Sequence, residues 1–363
     1  MLNKMLCVIA LLISLSPASG QDWPSFRGNP ALTGAISTQL PGRLRPIWMR
    51  EVGGAIEGGA AVVSGRVIVG TMNGRLVAIR QTDGKQLWVF LTKSGINATP
   101  LAIGKVVYAG DQSGMFYAVN SATGKLIWKH QTHDKIVSSA EYYDGMVLVG
   151  SYDHELYCFT ASTGKVKWTF KADAQVNCSP CIAEGKAIIS GCDGKVRMID
   201  IKTGRQRSST LLTTNFAASC AYSQGKAYTG SLDGSIMCIR VSDGKILWKR
   251  PAGDSGGIAA SPAVYGKRVV YGSQNNRIFA VNAANGHVLW TYRTRDEVNS
   301  SPVITGNLIY VGCDSGSLLS LSLTSGQLIW QFPAGAPIKA SPAIAAGRLY
   351  IGSGDGAFYC FGK

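Results

Sequence analysis

The six residues TGKLIW at 123–128 read in isolation as a turn followed by a strand. They recur as DGKQLW at 83–88, TGKVKW at 163–168, DGKILW at 243–248, NGHVLW at 285–290 and SGQLIW at 325–330. Trp88, Trp128, Trp168, Trp248, Trp290 and Trp330 advance by 40 residues per unit, with one step of 42 and with Ser208 where a tryptophan is due. A second marker, a small residue that in most units follows Ser or Thr, stands at Ala60, Pro100, Ala140, Pro180, Cys220, Pro262, Pro302 and Pro342. The chain therefore holds eight units, and a period of this length means repeated supersecondary structure.

Within a unit the punctuation is that of four short strands. Ten residues past the second marker comes a glycine in seven units, and four further on a hairpin turn such as Asn73-Gly74 or Asp233-Gly234. Asp-Gly and Asn-Gly suit tight turns because a positive φ costs glycine little. Another glycine, at Gly84, Gly124, Gly164, Gly204, Gly244, Gly286 and Gly326, closes the next turn before the tryptophan strand. Helical repeats would need glycine-free amphipathic runs, and none is present. Four strands in about 40 residues predict an all-β, eight-bladed β-propeller with four antiparallel strands per blade. The eighth unit stops at Lys363 without its outer strand, while Trp48 stands 40 residues before Trp88. An N-terminal strand from about 43 to 51 is thus expected to complete the last blade and close the ring, so that no sheet edge is left open there. On this reading the tryptophan fills the gap where blades diverge, contributing on the order of 5 kcal/mol at most. Small residues crowd the inner strand, where blades converge.

Residues 1–20 have the form of an export signal: Lys4, an apolar run from Met5 to Leu15, and the small residues Ala18, Ser19 and Gly20. That run is too short to span a bilayer, and Cys7 lies inside it, away from the position of a lipid-anchor cysteine. The expected division is a signal at 1–20, an arm at 21–41 and one propeller domain at 42–363, located in the periplasm or secreted. The chain carries 36 Lys+Arg against 21 Asp+Glu, a formal charge of +15 that becomes +14 when Lys4 is removed. Such a balance favours acidic partners or an anionic envelope surface. Nucleic acid is disfavoured by the export signal and by the lack of a basic run interleaved with aromatics.

The unit AVNSATGKLIW at 118–128, the leading segment DWPSFRGNPALTG at 22–34 and LRPIW at 44–48 resemble the pyrroloquinoline-quinone-type propellers. That superfamily includes the quinoprotein dehydrogenases and the propeller subunit of the outer-membrane β-barrel assembly machinery. The resemblance covers the mature chain and is specific for fold, since the repeat is a packing motif. It implies two functions, a non-catalytic exported scaffold for protein interaction or a quinone- or metal-dependent oxidoreductase. The dehydrogenases hold quinone and calcium at the channel mouth and carry long insertions between blades. Here the only surplus is two residues within RPAGDSGG at 250–257. The ring placed at the mouth, Glu57, Asn97, Val137, Asn177, Ala217, Ala259, Asn299 and Lys339, offers one carboxylate, three amides and one lysine. Those groups suit waters or a small polar ligand better than calcium, so no cofactor is expected.

Other constellations have plainer readings. Cys178 and Cys181 have redox spacing but fall on an inner strand; Cys178 could approach Cys192 across a hairpin as a disulfide, or all remain buried thiols. His130, His133 and His154 are candidate metal ligands on one rim, with solvated loop histidines as the default. Trp23 and Phe26 are expected to anchor the arm on the barrel, with ligand platforms as the alternative. Ser208 marks either a degenerate blade or a contact surface. In a four-stranded meander the first and third turns share a face, and they carry Arg66, Lys105, Lys186, Lys226, Lys267, Arg268 and Arg348, then Lys85, Lys125, Lys165, Arg205 and Lys245. This basic face gives a third reading, recognition of anionic glycan or lipid head groups. The expected partners are envelope proteins or the envelope surface, bound by a monomer within a larger complex.

Overall fold

The computed structural model describes residues 22–212, 214–251 and 256–363, so residues 1–20, where an export signal is expected, and the middle of the 250–257 segment lie outside the described residues. Eight sheets form an eight-bladed propeller. Blades 1 to 7 span residues 60–91, 101–131, 141–171, 181–211, 221–251, 263–293 and 303–333. Blade 8 combines residues 343–362 with the strand Arg45–Glu51. In each blade the strands follow one another as an antiparallel meander from the channel outward. Ring closure is as the repeat demands: Arg45–Glu51 runs antiparallel to Ala357–Gly362, with Trp48 opposite Cys360.

The alternation of the repeat becomes packing between blades. Apolar side chains of the middle strands are buried in the seams, as in the cluster of Tyr108, Phe116, Val147, Val149, Tyr157 and Phe159 between blades 2 and 3. Every outer strand has a bulge just before the tryptophan position, at Ile127 in blade 2, where the register passes from Leu126 to Trp128. An extra residue there re-aims the next side chain. The indole consequently lies across the seam onto the following blade, and its N–H donates to a backbone carbonyl there: Trp48 to Gln81 at 3.1 Å, Trp88 to Ser121 at 3.0 Å, Trp128 to Ala161 at 2.9 Å, Trp168 to Ile201 at 2.9 Å, Trp248 to Ala283 at 3.1 Å and Trp290 to Leu323 at 3.0 Å. Trp330 meets blade 8 edge-on at Phe361, with centroids 5.8 Å apart.

The glycine of the opening motif sits beneath this indole. Gly164 has φ +70, and a Cβ on it would lie 2.5 Å from Trp128. At the seam between blades 4 and 5 the indole is missing, and Gly244 instead faces Thr210 and Ser208, with the Thr210 hydroxyl donating to the Gly244 carbonyl. The Ser208 hydroxyl is buried there without a partner.

The arm takes a course the repeat does not announce. Trp23 pairs with Val62 of blade 1, and the carbonyl of Pro24 accepts the N–H of Ala102 in blade 2 at 2.7 Å. The carbonyls of Pro30, Ala31, Thr33 and Gly34 then accept N–H groups of Ile182, Tyr222, Val264 and Ile304 in blades 4, 5, 6 and 7. Ala35–Ile36 adds a parallel fifth strand to blade 7, and the chain passes on into the closing strand of blade 8. Thus residues 22–51 make one circuit, satisfying edge groups of the inner strands at one end of the channel.

Candidate functional site

The inner strands leave their edges facing a central lumen, so their backbone groups need partners that do not fill it. Three devices supply them. Five second markers are prolines, Pro100, Pro180, Pro262, Pro302 and Pro342, which bring no N–H. The arm caps the level below. One residue before seven of the eight markers, a hydroxyl accepts from the preceding blade: the N–H groups of Gly59, Thr99, Ser139, Ser179, Ser219, Ser261 and Ser301 donate to Thr99, Ser139, Ser179, Ser219, Ser261, Ser301 and Ser341 at 2.9–3.2 Å. The cycle is open only at Gly59, which has no hydroxyl to offer Ser341.

These seven hydroxyls form the wall of a central cup of about 220 Å³. Its rim holds all eight residues placed there from the sequence: Glu57, Asn97, Val137, Asn177, Ala217, Ala259, Asn299 and Lys339. Phe26 of the arm lines the cup and Trp23 is buried on blade 1, so the first of these two aromatics reaches the ligand space and the second only anchors. Beside Phe26 lies Arg27, buried, with left-handed φ of 64. Its Nη2 donates to the Pro262 carbonyl at 3.1 Å, while Nε and Nη1 have no partner. Burial without an acidic neighbour pulls the guanidinium down to about 9, still charged at neutral pH.

The rim groups are largely engaged with one another. Asn97 donates to Glu57 at 2.6 Å, and Asn177 donates to the Phe216 carbonyl at 3.1 Å. Asn299 accepts from Gln274 at 3.2 Å and donates both to Glu297 at 3.1 Å and to Asp314 at 2.9 Å. Burial, partly offset by Asn299, raises the Asp314 carboxyl above its ordinary value. Glu297, Asp314 and the hydroxyl ring were not legible as site residues. The carboxylates lie in separate turns, and Ser and Thr before each marker were visible only as part of the period.

Tested against a calcium–quinone centre, this donor set does not fit. Val137, Ala217 and Ala259 bring no ligand atom to the rim, and among the described residues no group of three or more His, Cys, Asp or Glu could hold a metal. Among the histidines, the placement of His130 in a loop needs correction. His130 lies in the strand Leu126–Gln131, not in a connection, and packs edge-on against Phe159 at 5.0 Å; burial and the charge of His133 lower its pKa, against the pull of Asp153. The backbone N–H of His133 donates to Asp153, and His154 holds a hairpin turn at φ 76; among the described residues they form no group with His130 that could hold a metal. Cys178, Cys181 and Cys192 are free thiols, which removes the Cys178–Cys192 disulfide. Burial pushes all three thiols up, and that of Cys220 to about 12, which makes them poor nucleophiles.

The opposite end of the channel, where the arm runs, carries the first and third turns and their basic residues. Lys85, Lys105, Lys125, Lys165, Arg205, Lys245 and Lys267 are exposed; Arg66, Lys186, Lys226, Arg268 and Arg348 are half-buried. Lys186 pairs with Glu184, and Arg348 donates to the carbonyls of Gln81 and Thr82, clamping blade 8 to blade 1.

Fold, ring closure and central cup together define a class: eight-bladed propellers of the pyrroloquinoline-quinone type. The chain belongs to the family described as outer membrane protein assembly factor BamB, whose model matches residues 42–142, 135–213 and 193–363. No curated protein sequence matches it. Among solved structures, BamB from Moraxella catarrhalis is 18% identical with a TM-score of 0.76, over 88% of this chain and 98% of that one. The quinohemoprotein alcohol dehydrogenase of Comamonas testosteroni is 14% identical with a TM-score of 0.83, over 94% and 81%. The computationally designed Ika8 protein, at 16% identity, has a TM-score of 0.78 over 86% and 98%. At such identities the likeness defines the fold, and activity has to be argued from the site.

Proposed function

We propose that this chain is a non-catalytic propeller of the cell envelope that acts as a scaffold for protein interaction, in the assembly of outer-membrane proteins. The observation that carries this reading is the economy of the ring. Blades and arm take up the described chain, the connections are short, and the channel rim offers no ligand set for calcium and quinone. What remains for contact is surface: two loop faces and the outer strands, which expose Met49, Leu91, Leu126, Ile127 and Leu211. The family description supports an envelope setting, and no helix among the described residues is long and apolar enough to cross a membrane. Photo-crosslinking in living cells tests the reading, with probes at Lys125 on the basic face and Gln112 on the mouth face. The expected result is a crosslink from one face to a component of outer-membrane protein assembly. Absence of crosslinks from either face, in cells where the chain is folded and exported, would defeat it.

The basic face favours one additional role. Its exposed lysines suit an anionic glycan or lipid head group, and binding of that kind weakens steeply with salt. Co-sedimentation with vesicles containing phosphatidylglycerol should fall off as salt rises from about 0.05 to 0.5 M. Equal binding to neutral vesicles would remove this role.

A further inference from the structure

The central cup is built at two levels, and the two make opposite demands on whatever enters it. At the lower level the seven wall hydroxyls line the cup, on residues only 4–9% exposed. Each accepts one backbone N–H, and none donates to a protein acceptor among the described residues. A hydroxyl has one proton and two lone pairs, so each keeps a proton and one lone pair for the lumen. A bare cation on this ring would engage the lone pairs and leave the protons without acceptors in a buried wall. Unpaired buried donors are costly, which disfavours it.

At the upper level carboxylates prevail. Glu57 lines the cup, Glu297 and Asp314 accept from Asn299 of the rim, and Asp355 lines an adjoining chamber of about 280 Å³. The lining of cup and chamber includes a single basic group, Lys339. An anion would meet this excess of like charge at the entrance, which disfavours it in turn. What the level does offer is acceptors: Asn97 engages one oxygen of Glu57 at 2.6 Å, and a carboxylate has about four lone-pair sites. A ligand suited to both levels is uncharged and carries several groups that donate and accept alike. Hydroxyl is such a group. Phe26 of the arm, the one aromatic residue of the lining, adds apolar surface for C–H groups. At about 220 Å³ the cup is smaller than the roughly 300–1,000 Å³ of sites for drug-sized ligands, so it suits one sugar-sized ring.

We infer that the cup binds a neutral polyol, one sugar or cyclitol ring, through hydrogen bonds to the wall hydroxyls and Glu57 and apolar contact with Phe26. The source is either a free monosaccharide or the terminal ring of a glycan entering from the mouth; the chemistry of recognition is the same. This inference is independent of the scaffold reading, since the cup would bind its ligand whether or not the faces bind proteins. It is also distinct from the basic face, which lies at the other end of the channel and suits anions.

Calorimetry on the protein tests it with D-glucose, N-acetylglucosamine, myo-inositol, maltotriose, cyclohexanol and glycine. The expected result is saturable one-to-one binding of at least one of the four polyols. Single rings bound with maltotriose excluded would mark a free source, and maltotriose bound at least as tightly as glucose would mark a glycan end. Cyclohexanol, a ring with one hydroxyl, should bind at least roughly tenfold more weakly than the best polyol, the effect of about one or two lost hydrogen bonds. Polyol binding should change by less than about twofold as salt rises from about 0.05 to 0.5 M, because the ligand is neutral. The double substitution Ser219→Ala and Ser261→Ala should weaken binding by roughly tenfold or more, and unchanged affinity in the folded variant would overturn the inference. Phe26→Leu keeps every wall hydroxyl and should weaken binding by roughly threefold. Should neither variant fold, the wild-type probes still decide. No saturation by any polyol up to about 50 mM, cyclohexanol binding as tightly, or glycine displacing the polyol at equal concentration would overturn the inference, the last because its ammonium and carboxylate address the two levels as separate charges.

Discussion

Gly164 answers two demands at once, a left-handed backbone and an indole from the neighbouring blade pressed onto it. Gly145 answers only the first, having φ +76 and nothing within 4 Å of where a Cβ would stand. Alanine at 145 should therefore cost roughly 1–2 kcal/mol, the strain of the left-handed region alone. At 164 it should cost about 2 kcal/mol more, because the seam must open. Urea denaturation of the two variants makes the comparison, and equal costs would contradict the packing account. The seams differ in the same way: Trp128→Ala should lose about 3–5 kcal/mol, while Ser208→Ala removes a buried hydroxyl without a partner and should be neutral or up to about 1 kcal/mol stabilising. Glu141 extends the argument to pH. It is buried on the inner strand of blade 3, and burial holds its carboxyl well above the ordinary 4.5, against the opposing bonds from Ser25 and the Tyr142 N–H. A raised value in the folded state means that its contribution is full below 4.5 and is lost as pH rises toward the folded value. Glu141→Gln should accordingly leave stability near pH 4 almost unchanged and raise it relative to wild type at pH 7. Thermal melts at the two values check this, and a larger gain at pH 4 would contradict it.

At the scale of elements, the closing strand carries the ring. Arg45–Glu51 supplies the outer strand of blade 8 and the indole of Trp48 for the seam with blade 1. A chain begun at Val52 would lose both, along with the arm. It should unfold or associate through the bare edge of Ala357–Gly362, seen by light scattering as oligomers; a stable monomer would show that closure lies elsewhere. The sequence made this element visible because Trp48 continues the period of 40 backwards from Trp88. The mouth ring was visible for the same reason, as three positions before each marker returns to one height in every blade. The course of the arm was hidden, because its bonds to blades run almost wholly through backbone carbonyls, which leave no side-chain pattern. His130 was misplaced for a related reason: a boundary shift of one or two residues moves a side chain from a loop to a packed strand.

For the whole molecule, the division is between a basic face crossed by the arm and a mouth face that opens into a polar cup. Nothing in the ring requires chemistry to hold it together, and a packing repeat of this kind can carry an enzyme, a scaffold or a designed shape. The central claim is that this chain works through its surfaces, not through a quinone redox centre at the channel. Equilibrium dialysis of the protein against calcium and pyrroloquinoline quinone, followed by a dye-linked assay with primary alcohols, tests that claim most directly. The account predicts no stoichiometric chromophore and no alcohol-dependent dye reduction; one quinone bound per chain, with turnover, would contradict it.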